Sequence, residues 1–161
     1  MRSTDEALRV VNAPRFVRRV RDRGAALRGR NVDLGLLVLR LFAGTALAFA
    51  HGIGKLPPSE RFLAVVADMG FPMPVVFAWA AGLAEFAGGL LLAIGLLTRP
   101  AAAVILVTMG VAAFVRQAGS PFTEREAALL YGSVALLYLI AGPGRLSLDA
   151  LLGQRRAASV R

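Results

Sequence analysis

The sequence predicts an all-α integral membrane protein, a four-helix bundle with both termini in the cytoplasm, and three observations carry that prediction. Hydrophobic residues make up 57% of the 161 residues and charged ones only 18%, whereas soluble domains average about 45–50% and about 25%. The apolar residues come in long runs rather than amphipathic stripes; between Pro74 and Val115 the only charges are Glu85 and Arg99. Finally, the basic residues are sorted along the chain in a way that sets a topology. A soluble domain of this length would lack the polar surface to cover itself.

Residues 1–31 hold nine arginines and no long apolar run. Phe16, Val17, Val20 and Leu27 fall at helical spacing among Arg18, Arg19, Arg21 and Arg23. The pattern fits a basic amphipathic helix at the lipid headgroups, begun near Pro14, or a basic tail without regular structure. The bundle itself is expected over residues 32–142. Helix one takes residues 32–50, interrupted only by Arg40, a length of about 28 Å against a hydrocarbon core of ~30 Å. Ala48-Phe49-Ala50 also resembles the end of a cleavable signal, but the basic region before it is too long and Arg40 sits inside the apolar stretch.

A polar, Pro- and Gly-rich segment follows. Within it Ser59 is placed to cap a short surface helix with Phe62, Val65, Val66 and Met69 on one face and Gly70 at its end. Helix two takes residues 75–97, with Glu85 near its middle. Pro100 suits the first turn of helix three, residues 101–116, where Arg116 can snorkel to lengthen a short span. Thr123 and Glu126 read as a capping box for helix four, residues 124–141, which Gly142-Pro143-Gly144 stops. Residues 143–161 form a short basic tail in which Leu148, Leu151 and Leu152 suggest one more interfacial turn. With the N-terminus inside, fourteen basic residues lie on the cytoplasmic side and four, Lys55, Arg61, Arg116 and Arg125, on the outer side.

Composition also removes chemistries. No cysteine is present, which excludes disulfides, thiolate metal sites, iron–sulfur clusters and CxxC redox exchange within this chain. The lone histidine, His51, is a poor metal site by itself, so no metal is expected. The net charge of +9 comes from eighteen arginines and one lysine. Those residues flank apolar runs without interleaved aromatics, which points to the lipid bilayer as partner and away from nucleic acid.

Two charges fall within the expected spans, Arg40 and Glu85. A charge at a helix centre costs at least about 2.5–3.5 kcal/mol, so a partner is expected for each. Counted by helical rise from the predicted helix ends, Arg40 lies about 12 Å and Glu85 about 18 Å from the cytoplasmic side, which makes an Arg40–Glu85 pair reachable. Arg40, Gly44, Leu47 and His51 share one face of helix one, and Lys55 follows four residues after His51. Gly82, Glu85, Gly88 and Gly89 share a small-residue face of helix two. Arg40, His51, Lys55 and Glu85 are thus candidate ligand-binding residues in a polar pocket between helices one and two. Gly44, Gly82, Gly88 and Gly89 serve close helix packing, which needs no ligand. No nucleophile with its base is discernible, so no catalytic residue is assigned. Gly52-Ile53-Gly54-Lys55 lacks the strand and the Ser or Thr of a phosphate loop.

Four blocks in order, Leu39-Arg40-Leu41-Phe42-Ala43-Gly44, His51-Gly52-Ile53-Gly54-Lys55-Leu56, Gly82-Leu83-Ala84-Glu85-Phe86-Ala87-Gly88-Gly89 and Gly95-Leu96-Leu97-Thr98-Arg99-Pro100-Ala101, resemble the DoxX family of bacterial four-helix membrane proteins. The resemblance covers residues 31–142. It implies a bacterial inner-membrane location and a link to quinone-coupled oxidation, through similarity to a subunit of thiosulfate:quinone oxidoreductase. Two functional readings follow. In one the chain is a subunit of a quinone-linked membrane oxidoreductase that binds quinone and relies on a protein partner, or a second copy of itself, for electrons. In the other it is a non-enzymatic accessory or assembly protein whose Arg–Glu pair is structural. A solute carrier ranks behind both, since internal repeats are lacking.

Overall fold

The computed structural model describes residues 15–159, with side chains over residues 29–154. Among these residues every regular element is helical. They are α1 (Arg15–Ala46), α2 (Glu60–Asp68), α3 (Pro74–Ile94), α4 (Thr98–Val111), α5 (Phe122–Ala141) and α6 (Leu148–Ser159). A π turn, Leu47–Gly52, and a 3-10 turn, Ile53–Lys55, continue α1, and a second π turn, Ala112–Arg116, continues α4. The chain divides into two units, residues 1–35 and residues 36–161. In the first, the backbone is helical from Arg15, one residue past Pro14. The apolar stripe expected around Phe16 and Leu27 lies outside the described side chains, and residues 1–14 lie outside the described residues.

Three stretches are long and apolar enough to cross a membrane by length and composition: Gly29–Lys55, Pro74–Ile94 and Thr98–Arg116. α5 is also apolar, but Glu124, Arg125 and Glu126 occupy its first two turns. Within the second unit, one core cluster draws Leu47 from the first π turn, Leu92 from α3, Ile105 and Met109 from α4 and Tyr138 from α5. The Tyr138 hydroxyl, fully buried, donates to the Leu36 carbonyl at 2.6 Å. Around that core, small residues are inside and large ones outside. Ala48, Ala78, Ala102 and Ala135 are inaccessible, whereas Phe42 is 73%, Val107 68% and Ile140 70% exposed. Water would penalise that arrangement; lipid, as apolar as the side chains, does not.

Several helix ends fall differently from their expected places, each for a local reason. α3 stops at Ile94 rather than residue 97, because Gly95 adopts a left-handed conformation (φ 70°). The Leu96 N–H then reaches the Leu91 carbonyl and the Gly95 N–H the Leu92 carbonyl, a Schellman closure. α4 accordingly begins at Thr98, before Pro100. The expected capping box at Thr123 and Glu126 does not form: α5 starts at Phe122 with Pro121 as its cap and no side-chain capping bond. Thr123 therefore sits inside the first turn, past the position where its hydroxyl could cap. Ser59 does cap α2, accepting from the Phe62 N–H at 3.3 Å. The expected basic tail carries a regular helix, α6.

The last turn of α1 and the π turn after it pack against α3 at backbone distance. A Cβ built on Gly44 would stand 2.5 Å from the Gly89 carbonyl oxygen, and one on Gly89 2.7 Å from that of Gly44. Gly89→Ala should therefore overpack this contact and cost about 1–3 kcal/mol. Gly110→Ala, with nothing within 4 Å of the added carbon, should leave stability unchanged or slightly raised. Thermal unfolding of the two detergent-solubilised variants side by side measures the difference, and equal melting temperatures would contradict the packing.

Candidate functional site

Glycine contacts fix the register between the first span and α3. Gly44 faces Gly89 and Ala93, and a Cβ on Gly52 would come within 2.5 Å of the Phe86 nitrogen and 2.8 Å of the Glu85 carbonyl carbon. Arg40 is consequently level with Ala93, eight residues or about 12 Å along α3 from Glu85. The expected Arg40–Glu85 pair is not made. Its premise was depth counted from predicted helix ends, and the real register is set by the glycines.

Glu85 pairs instead with Lys55, whose Nζ donates to Oε1 at 2.5 Å and Oε2 at 2.6 Å. The Glu85 side chain is 3% exposed and that of Lys55 25%. The π turn explains how the two meet. A regular α-helix would carry the Arg40–Gly44–Leu47 face on to His51. The wider turn over Leu47–Gly52 adds a residue and brings Gly52 onto α3 instead. The 3-10 turn that follows has three residues per turn, so Lys55 lies directly beyond Gly52 on that face, at Glu85. His51 is exposed and stacks edge-on against Tyr131 of α5, ring centroids 5.3 Å apart.

Arg40 is 2% exposed and spends its guanidinium on main-chain carbonyls. Nε donates to Ala93 at 3.1 Å, Nη1 to Pro143 at 2.6 Å and Nη2 to Leu146. These carbonyls belong to the last turn of α3 and the turn after α5, where helix ends leave acceptors unfilled. Beside this knot Asp149 of α6 caps α4: the Leu97 and Thr98 N–H groups each donate to its carboxylate at 2.9 Å, and its own N–H reaches the Gly95 carbonyl. Burial pushes the Asp149 carboxyl up, but the Thr98 and Leu97 N–H bonds and the Arg40 charge outweigh it and hold the group below its ordinary value. No sequence pattern pointed to Asp149, since an acid in a first turn usually serves its own helix.

The four candidate ligand residues are thus separated: Lys55 and Glu85 together at the middle of α3, Arg40 at its C-terminal end, and His51, in the first π turn, against Tyr131 of α5. Glycine contacts bring the first span and α3 to backbone distance at Gly44–Gly89 and at Gly52–Phe86. A cavity of about 490 Å³ lies elsewhere, beneath α2 and between α3 and α4. Phe62, Val66 and Met69 of α2 roof it, and Phe77, Ala81 and Val107 are among its walls. Lys55 lines it, as does Arg116 at the end of the second π turn, which sequence reasoning had treated only as a snorkelling residue. Among the described residues, no group of three or more metal-ligating side chains occurs.

The DoxX family model matches residues 35–118, which include both π turns, Lys55, Glu85 and all of the cavity's lining. No curated protein and no solved structure matches the chain.

A double-mutant cycle reads the pairing directly. Removing one partner of a buried ion pair costs about 3–5 kcal/mol, whereas apolar replacement of both can be nearly neutral. Lys55→Met and Glu85→Leu should each destabilise the solubilised protein, with the double variant recovering much of the loss. Arg40→Leu with Glu85→Leu should be additive. Coupling in the second pair and none in the first would reverse the assignment.

Proposed function

The chain belongs to the DoxX family, and from that premise we propose that it is the membrane subunit of a quinone-linked oxidoreductase in a bacterial inner membrane. In this reading α5 is a fourth span, its twenty residues covering about 30 Å. Both termini are cytoplasmic, as fourteen basic residues against four favour. A cysteine placed at Ser120 should then react with a membrane-impermeant thiol reagent in intact cells and one at Ser159 should not. The absence of native cysteine keeps the background clean, and the reverse pattern would overturn the orientation.

The observation that carries the functional reading is the Lys55–Glu85 pair at the wall of an apolar cavity. Ligand sites are commonly clefts of about 300–1,000 Å³, mostly apolar with a few polar groups that orient the ligand. A quinone suits that description: its ring and tail are apolar, and its carbonyls accept hydrogen bonds. Two protons of the Lys55 ammonium are taken by Glu85, leaving a third for such a carbonyl. Glu85 fixes the ammonium in place, and electrons come from a protein partner, since the chain has no cysteine and a single histidine. Ligand contact is assigned here to Lys55, with Glu85 holding its ammonium, and not to Arg40 or His51.

The accessory or assembly reading has one observation in its favour: Arg40 and Glu85 are both satisfied within the chain and can serve the fold alone. Organic extraction of protein purified in mild detergent separates the two. Quinone at near-stoichiometric amount, retained in His51→Ala, is expected. Absence of quinone under conditions that keep annular lipid would favour the accessory role.

A further inference from the structure

The two π turns among the described residues both lead toward the same cavity. Leu47–Gly52, through its short 3-10 extension, delivers Lys55; Ala112–Arg116 delivers Arg116. Such wide turns are rare within helices and frequently sit at functional sites, because the inserted residue re-aims the side chains beyond it. The two cations so delivered are not equivalent. The charge of Lys55 is cancelled by Glu85, which it grips with two hydrogen bonds. Arg116 is exposed, and among the described residues it makes no hydrogen bond and no ion pair. Its surroundings in the cavity are almost wholly apolar, and the one hydroxyl there, on Thr108, donates to the Val104 carbonyl at 2.9 Å.

We propose that Arg116 is the anchoring residue of this cavity, holding the oxygen-acceptor head of an apolar ligand whose body lies beneath Phe62, Val66 and Met69. The proposal rests on the reading of the cavity as a ligand site and adds the group that grips the ligand. The chemistry is that of matching. Lys55 and Arg116 offer donors, so the head must accept: a quinone carbonyl does, as does a carboxylate. A guanidinium supplies up to five donors and does not deprotonate, so it keeps this role at any physiological pH. The cavity carries one uncompensated positive charge, that of Arg116, and this favours a head with negative charge or strong carbonyl polarity.

Arg116 also makes the cleaner probe. Replacing Lys55 orphans buried Glu85 and disturbs the fold, whereas Arg116 has no partner to orphan among the described residues. The test uses the full chain in nanodiscs of zwitterionic lipid, with a decyl-substituted benzoquinone and dodecanoate as probes in equilibrium dialysis. Arg116→Gln should weaken benzoquinone binding roughly ten- to a hundredfold, the worth of a charge-assisted hydrogen bond, at an unchanged melting temperature. Arg116→Lys should fall between, keeping charge but losing the fork of donors. Parental binding in Arg116→Gln would overturn the anchor while leaving the quinone reading intact. Dodecanoate binding that depends on Arg116, with no benzoquinone bound, would keep the anchor and remove quinone from the proposed function. Failure of the parent protein to bind either probe would end both.

Discussion

The backbone contact between Gly44 and Gly89 decides more of this structure than any polar interaction. Without side chains at those positions, the first span and α3 approach until the carbonyl of each stands where a Cβ of the other would be. So close a seam has a single register, because a shift of one residue would drive a side chain into main chain. Everything polar along the two helices is then assigned a neighbour. Arg40 meets Ala93 and the turn that follows α5, and Lys55 meets Glu85. In a protein whose core is largely alanine and glycine, dispersion at short range does the work that large apolar side chains do in water-soluble cores.

Charge is used differently at the two places where it is buried. At the end marked by Arg40 and Asp149, both groups bind backbone. The guanidinium fills carbonyls left open where α3 and α5 stop, and the carboxylate fills the N–H groups left open where α4 starts. Each is a long-range cap, joining segments about fifty to a hundred residues apart, as the Arg40–Pro143 and Asp149–Leu97 bonds do. Midway along α3, charge is held by charge. Lys55 and Glu85 neutralise each other, and Arg116, beside the same apolar cavity, makes no ion pair among the described residues.

That difference bears on function. A knot of main-chain caps stabilises helix ends and leaves little free for a ligand. An ion pair against an apolar cavity leaves donors available and sits below a short amphipathic helix capped by Ser59. The outer surface is rich in exposed valine, leucine and phenylalanine, as suits contact with lipid.

The sequence by itself determined the helical class, the membrane habit and the family. Those depend on composition and on runs of apolar residues, properties that do not require knowing which helix faces which. It also placed the Ser59 cap and the stop near Gly142. Tertiary structure alone decided the pairing. Helix-end counting matched Arg40 to Glu85 because both seemed similarly deep; glycine packing and one additional residue in a π turn changed the outcome. The same residue turned His51 away from α3 toward Tyr131 and put Lys55 in its place. Nothing local in Leu47–Gly52 announces a π turn, since its extra residue is stabilised by what it packs against. For the same reason the cavity, and the position of Arg116 in its wall, became visible only once α2, α3 and α4 were seen together.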